Sequence, residues 1–326
     1  LSHEPDRLFV DVDTGIDDAY ALLYACAEAG PRLVGVSTVV GNVSLAAATR
    51  NTRAVLALAG RGDVTVAPGA AVPLAPEAVD ARAVHGDTGL GHASLPEPQE
   101  PASTVHAVDA IVAAARAEPG RLALVATGPL TNIALAVMRD PDLPRHVKRF
   151  VIMGGAYAAH GNVTPSAEFN IWHDPEAARI VFRAFGGPGA APVVAIGLDV
   201  TRKVTIDGAD LAALAARCGG GPRAPALLRF LEDSARHYFE RMERQSGRRF
   251  LVMHDPLAVA VALDPGLVET RRAAVDVETA GRLTTGATVV DWDGRWGRLA
   301  NTEVAVAVDA ERVRAKFFAA MERLAG

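Results

Sequence analysis

The chain has 326 residues, half of them hydrophobic and 22% charged, with a formal net charge of −5. That length holds one large α/β domain or two smaller ones, and that apolar content excludes disorder over most of it. A mildly acidic balance without a long Lys/Arg run argues against nucleic acid as a partner and favours a small polar substrate. No run reaches the ~18 apolar residues of a membrane span, and the opening stretch with His3, Glu4, Asp6 and Arg7 lacks the apolar core of a secretory signal. Leu1 in place of Met suggests trimming or an artificial boundary, and Cys26 and Cys218, without CxxC or Cys/His spacing, read as reduced structural thiols. The expected location is cytoplasmic.

Residues 7–18 form an apolar strand running into Asp11, Asp13, Asp17 and Asp18. Side chains alternate on a strand, so Asp11 and Asp13 are expected to point the same way off its C-terminal end. Gly15 permits a tight turn, and Asp17 and Asp18 open a helix whose first turn favours negative charge. Read plainly, these acids cap a helix and hold a loop. Four of them behind a buried strand are costly without a cation, however, and all-oxygen ligands suit Ca²⁺ or Mg²⁺ rather than zinc. A metal or catalytic site is therefore expected. Phosphatases of the haloacid dehalogenase type also open on Asp-x-Asp, but they expect Thr or Val where this chain has Gly15.

Gly30-Pro31 stops the first helix, and residues 32–40 read as a buried strand that leaves Asn42 at its C-terminal end. A helix over 44–59, a short strand over 63–67 and a Pro- and Ala-rich connection over 68–83 follow. Residues 85–91, with three glycines, are expected to form a mobile loop able to close over a ligand. Next come a helix over 104–117, a strand over 121–126, the polar turn 127–132, a helix to about 139, and a strand over 147–153. Strands alternating with helices predict an α/β fold, Rossmann-like, with a mostly parallel central sheet flanked by helices and ligands beyond the strands' carboxyl ends. No repeat or linker divides the chain, so one domain over 1–326 is expected.

The loop 156–170 is dense in groups that bind hydroxyls and ends on Glu168, Phe169 and Asn170. His173-Asp174-Pro175-Glu176 has the form of a helix cap, and Met253-His254-Asp255-Pro256 admits the same reading. A strand over 193–199 and helices over 208–217 and 224–244 lie between them; His237, Tyr238 and Phe239 on the longer helix are either core or project over a pocket. Strands near 273–279, 284–291 and 303–308 and a final helix from Asp309 complete the chain without a further constellation.

Taken together, Asp11-Val-Asp-Thr-Gly-Ile-Asp-Asp18, Val40-Gly-Asn42, His85-Gly-Asp-Thr-Gly-Leu-Gly91, Thr127-Gly-Pro-Leu-Thr-Asn132, Met153-Gly-Gly155, Glu168-Phe-Asn170 and His254-Asp-Pro256 resemble the nucleoside hydrolase family, in order from end to end. The resemblance implies that family's fold and hydrolysis of the N-glycosidic bond of a ribonucleoside to ribose and free base, with a tightly held Ca²⁺. It implies Asp13, Asp18, Asp255 and the carbonyl of Thr127 as metal ligands, Asp13 as the base that takes a proton from water, and His254 as proton donor to the leaving base. Asp17, Asn42, Asn162, Glu168 and Asn170 match ribose contacts with Met153 beside them, and His85 and Phe169 match the base pocket. It also implies a homodimer or homotetramer. Thr14 stands where the family commonly has Pro. Tyr238 and Met242, with His237 nearby, are the candidates over the base, and His254 resembles the branch that accepts purine and pyrimidine nucleosides. Two other readings stand beside this one: a nucleoside- or ribose-binding protein without turnover, and a Mg²⁺-dependent phosphohydrolase. A modified nucleoside as substrate is also open.

Overall fold

The structure, a computed structural model, describes residues 7–74, 82–99, 101–218 and 220–326. The readings for residues 1–6 and for 75–81 of the Pro- and Ala-rich connection lie outside the described residues. In chain order the strands are β1 (Arg7–Val12), β2 (Leu33–Thr38), β3 (Val66–Pro68), β4 (Leu122–Ala126), β5 (Val147–Met153), β6 (Val193–Ile196), β7 (Thr205–Ile206), β8 (Leu251–Val252), β9 (Val268–Val277), β10 (Thr288–Asp291) and β11 (Thr302–Val308). Nine of them make one sheet in the order β10-β9-β11-β6-β5-β4-β1-β2-β3. From β3 to β11 every pairing is parallel, while β9 runs antiparallel to β11 and β10 antiparallel to β9. The expected mostly parallel sheet flanked by helices is the fold.

The central strands are apolar throughout because both faces are covered. Leu8, Val10 and Val12 join one core with Ala123, Val125, Val151 and Met153, under the helices Ile16–Ala29, Ala224–Ser246, His254–Leu263 and Ala310–Ala325. Phe9, Leu122, Leu124, Phe150 and Ile152 turn to the other face, against Ala107–Ala117, Thr131–Arg139 and Pro175–Ala184. The period of two thus divides one chain between two cores. Helix Ile16–Ala29 buries Leu22 and Leu23 completely, and each such side chain contributes about 1.5–3 kcal/mol. The buried Tyr20 hydroxyl donates to the Leu231 carbonyl at 2.6 Å, so its own polar end is satisfied within the core.

Several boundaries differ from expectation. The strand predicted over 193–199 ends at Ile196, and a short helix, Leu198–Thr201, takes up Asp199. β7 and β8 pair over two residues each, too short to leave a sequence pattern. The glycine segment begins with a helical turn, Arg82–His85, and closes through bonds from Gly91 N to His85 O (2.8 Å) and Gly89 N to Gly86 O (3.1 Å). Gly86, Gly89 and Gly91 there hold φ of 79°, 86° and 60°, which glycine adopts without strain. Cys26 and Cys218 are both free and buried, as expected. Among the described residues, no helix is long and apolar enough to cross a membrane.

Candidate active site

The carboxyl ends of β1, β2, β4 and β5 meet the N-termini of helices Ile16–Ala29 and His254–Leu263. Asp13 follows β1, Asn42 follows β2, Thr127 follows β4, and Met153 ends β5. Helix His254–Leu263 is almost wholly apolar after its first turn and packs on helix Ile16–Ala29, β4 and β5. That packing carries Asp255 to acids more than half the chain away in sequence. Carboxylate oxygens of Asp17, Asp18 and Asp255 lie within 4.8 Å of one another, all buried, and Asp13 adjoins Asp18.

The framework donates to only part of this cluster. Asp13 Oδ2 accepts from the Asn42 backbone N–H at 2.6 Å; Asp18 accepts from Gly15 N at 2.9 Å, Asn42 Nδ2 at 3.1 Å and Thr127 Oγ1 at 2.7 Å. Asp13 Oδ1 and Asp17 Oδ1 are buried without a hydrogen-bond partner among the described residues. A Cβ at Gly41 would collide with Asp13 Oδ2, and one at Gly128 would lie 2.9 Å from Oδ1, so these glycines let the backbone close around the carboxylate. Burial first, then the charge of Asp18, pushes the Asp13 carboxyl well above the ordinary range and Asp17 up to about 7. Asp255 is raised by burial, then by Asp17, Asp18 and Asp13, and Asp18 is raised by burial. Helix packing, not mutual attraction, gathers these groups, and a cation held among them would offset the repulsion. Oxygen-only donors with unpaired lone pairs fit a hard divalent ion.

The expected membership of the cluster needs one correction. Asp11 is buried and its Oδ2 also has no hydrogen-bond partner among the described residues, but its Oδ1 accepts from Ser37 Oγ at 2.5 Å and Asn132 Nδ2 at 2.8 Å, tying β1 to β2 and to helix Thr131–Arg139. It lies within the parallel ladder, opposite Ser37 and Ala126, whereas Asp13 lies past the strand's end and is free to turn to the site. The fourth acid is Asp255.

Above the cluster is a cavity of about 580 Å³ lined by Asp17, Asn42, His85, Thr127, Met153 and Asp255 on the side of the acids. Asn162, Glu168, Phe169 and Asn170 come from the 156–170 loop, with Tyr238 and His254 completing the expected set. Asp13 and Asp18 lie fully buried, outside that lining. Glu168 accepts from the N–H groups of Asn170 (2.9 Å) and Ile171 (3.2 Å), which make it the N-cap of helix Phe169–His173, and from Gly155 N (2.9 Å) beyond the end of β5. Asn170 Nδ2 donates to the Thr127 carbonyl at 2.6 Å and the Met153 carbonyl at 3.0 Å, and a carbonyl keeps a second lone pair. Asn162 Oδ1 accepts from Phe169 N at 2.9 Å. The expected ribose contacts thus also build the loop's own frame.

His85 Nδ1 accepts from Ile16 N at 3.1 Å, so in the neutral ring Nε2 carries the proton. Burial, then the charge of Arg241, pushes His85 down to about 3; burial, then Arg202, does the same to His254. Tyr238 and Met242, one turn apart, both line the cavity, while His237 packs edge-on against His92 with ring centroids 5.1 Å apart. Sequence reasoning passed over Arg202, Arg241, Trp172, Gln245 and Phe250 in the lining, and Asp199 and Thr201 behind it. Asp199 had a visible signal, an acid at the carboxyl end of a further parallel strand. Its carboxylate accepts from Tyr157 N (2.9 Å), Ala158 N (2.7 Å) and Ala159 N (2.9 Å), anchoring the start of the 156–170 loop.

Residues 8–315 match the family model described as inosine-uridine preferring nucleoside hydrolase. The chain belongs to the nucleoside hydrolase family. It is 37% identical over 322 residues to the inosine-uridine preferring nucleoside hydrolase of Leishmania major, covering 98% of each chain. It is 38% identical over 301 residues to the pyrimidine-specific ribonucleoside hydrolase RihA of Citrobacter koseri, covering 92% of this chain and 93% of that one. Among solved structures, a purine-preferring ribonucleoside hydrolase from Gardnerella vaginalis superposes with a TM-score of 0.89 at 33% identity, over 98% of this chain and 99% of that one. As a nucleoside hydrolase the protein is a glycosidase that cleaves the N-ribosyl bond of ribonucleosides. The relatives' names carry different base preferences, inosine-uridine, pyrimidine and purine, so family membership leaves the base open.

Proposed function

We propose that this nucleoside hydrolase is Ca²⁺-dependent, with Asp13 as the general base toward water and His254 assisting the departing base. The observation that carries the reading is the set of buried acids with unpaired oxygens at Asp13 and Asp17, below a cavity that also exposes His254. Asp13, Asp18, Asp255 and the Thr127 carbonyl would hold the ion, with Asp17 beside them. A divalent ion there would supply a grip on a sugar diol and a lowered pKa for water.

The chain's own groups supply the rest. Departure of the base leaves an oxocarbenium-like sugar, whose positive charge neighbouring carboxylates stabilise. Asp17, Asn42, Asn162 and Asn170 offer the acceptors and donors that orient ribose hydroxyls, and that binding energy can distort the ring. The C1′–N bond breaks with its electron pair going to the base; the water oxygen bonds C1′ and its proton passes to Asp13. His254, neutral in its buried position, donates its N–H toward the nitrogen on which negative charge develops, and solvent supplies the proton that completes the free base. Phe169, Tyr238 and His85 then bound the base. The aromatic faces of Phe169 and Tyr238, with the flexible Met242 and the long polar side chains of Arg241 and Gln245, can adapt to more than one base, which supports acceptance of both purine and pyrimidine nucleosides.

A panel of purine, pyrimidine and modified nucleosides with chromatographic detection of free base tests this directly. We expect release of base that chelation suppresses and added Ca²⁺ restores, and loss of turnover in Asp13→Ala. Full turnover in Asp13→Ala would refute the assignment, and binding without base release from any nucleoside would mark a binding protein.

A further inference from the structure

We propose that Thr201 is a positioning residue for the reaction, fixing the ring and the tautomer of His254; the proposal rests on the leaving-group role given to His254 above. Thr201 Oγ1 and His254 Nδ1 lie 2.8 Å apart, and Thr201 is fully buried. A buried hydroxyl needs an acceptor for its proton, and among the described residues Oγ1 has no other hydrogen-bond partner than Nδ1. The hydroxyl therefore donates to Nδ1, and the neutral ring carries its proton on Nε2. Since His254 lines the cavity and Nδ1 is spent on Thr201, Nε2–H is the donor left for the substrate.

The segment bearing Thr201 is itself braced. The N–H groups of Val200 and Thr201 both donate to Gly197 O at 3.1 Å, Asp199 holds residues 157–159, and Arg202 Nη2 donates to Gly161 O at 2.9 Å. One short turn thus fixes both the leaving-group histidine and the two ends of the loop segment leading to Asn162. A donor aimed from a rigid element loses little on reaching the transition state, whereas a ring free to flip spends part of its time in the wrong tautomer or orientation.

Thr201→Val keeps the shape and removes the donor; Thr201→Ser keeps the donor. Both are to be compared with His254→Ala on inosine, on uridine and on 4-nitrophenyl riboside, whose phenolate leaves without a proton. For Thr201→Val we expect kcat on the nucleosides to fall roughly tenfold with KM within about twofold, since a hydrogen-bond donor to the leaving group is weakened and not removed. Turnover of the 4-nitrophenyl riboside should stay at the parent level, and Thr201→Ser should restore the nucleosides. Parent-level nucleoside turnover in Thr201→Val, or an equal loss on all three substrates, overturns the assignment while a selective His254→Ala leaves the leaving-group role standing. A His254→Ala loss shared equally by all three overturns that role, and the assignment of Thr201 with it.

Discussion

The tripeptide His-Asp-Pro occurs twice in this chain, at His173-Asp174-Pro175 and at His254-Asp255-Pro256, each time opening a helix. In the first, Asp174 accepts from Ala177 N at 3.1 Å, Leu74 N at 2.8 Å and Thr131 Oγ1 at 2.6 Å, so its charge is fully answered by the framework. In the second, Asp255 faces Asp17, Asp18 and Asp13. His173 packs against Phe169, with ring centroids 5.5 Å apart, while His254 lines the cavity and meets Thr201. Identical local chemistry therefore serves as a structural cap in one place and stands among clustered acids at a cavity in the other. The neighbours brought in by the fold make the difference.

The comparison breaks most easily at Asp255. Asp255→Asn should lower kcat by a factor on the order of 10³ or more, as expected when an ion-binding acid at the reacting centre is lost. The melting temperature in chelator should hold or rise, because one repelling charge is gone. Near-normal turnover in that variant would erase the distinction between the two tripeptides.

Metal-free protein gives the next largest effect. The folded state raises the pKa values of the clustered acids, Asp17 to about 7, above an unfolded value of about 3.9. Between those limits the folded state binds more protons than the unfolded one, so stability falls as pH rises from about 4 through 7. Denaturant melts in chelator should show this slope, and added Ca²⁺ should flatten it by answering the charges; a metal-free protein equally stable at pH 5 and pH 8 would contradict the picture.

Asp174→Ala should do the reverse of Asp255→Asn, costing about 1–2 kcal/mol of stability for the lost cap and leaving kcat within a few-fold. Equilibrium denaturation alongside the base-release assay reads both. The smallest effect is expected at Asp199→Asn. Weakening its hold on Tyr157, Ala158 and Ala159 by about 1 kcal/mol should raise KM roughly fivefold with little change in kcat. A change confined to kcat would place Asp199 in the chemistry rather than in the loop.

Much of the fold was legible beforehand because buried parallel strands are short apolar runs with polar turns at their ends. β5 is read over the same residues in sequence and structure, and β4 differs by one residue. The strand predicted over 193–199 overran because Gly197 and Leu198 extend the apolar pattern past the point where the backbone turns. Within the site, the cluster was legible at Asp13, Asp17 and Asp18, which fall within one short stretch of sequence. Asp11 was misassigned because alternation gives a direction and not a depth. Thr201 was invisible for another reason: a lone hydroxyl in a short turn acquires meaning only from the histidine packed against it.

Local sequence determined that acids would stand at a strand-to-helix edge, that the sheet would be mostly parallel, and that the glycines near 85–91 would turn. Each follows from interactions among residues close along the chain, or from a period that one strand can carry by itself. Which His-Asp-Pro would reach those acids was decided by the tertiary structure, through the apolar helix His254–Leu263 lying against helix Ile16–Ala29. Burial and electrostatic repulsion depend on what surrounds a carboxylate in space, and no stretch of sequence contains that information.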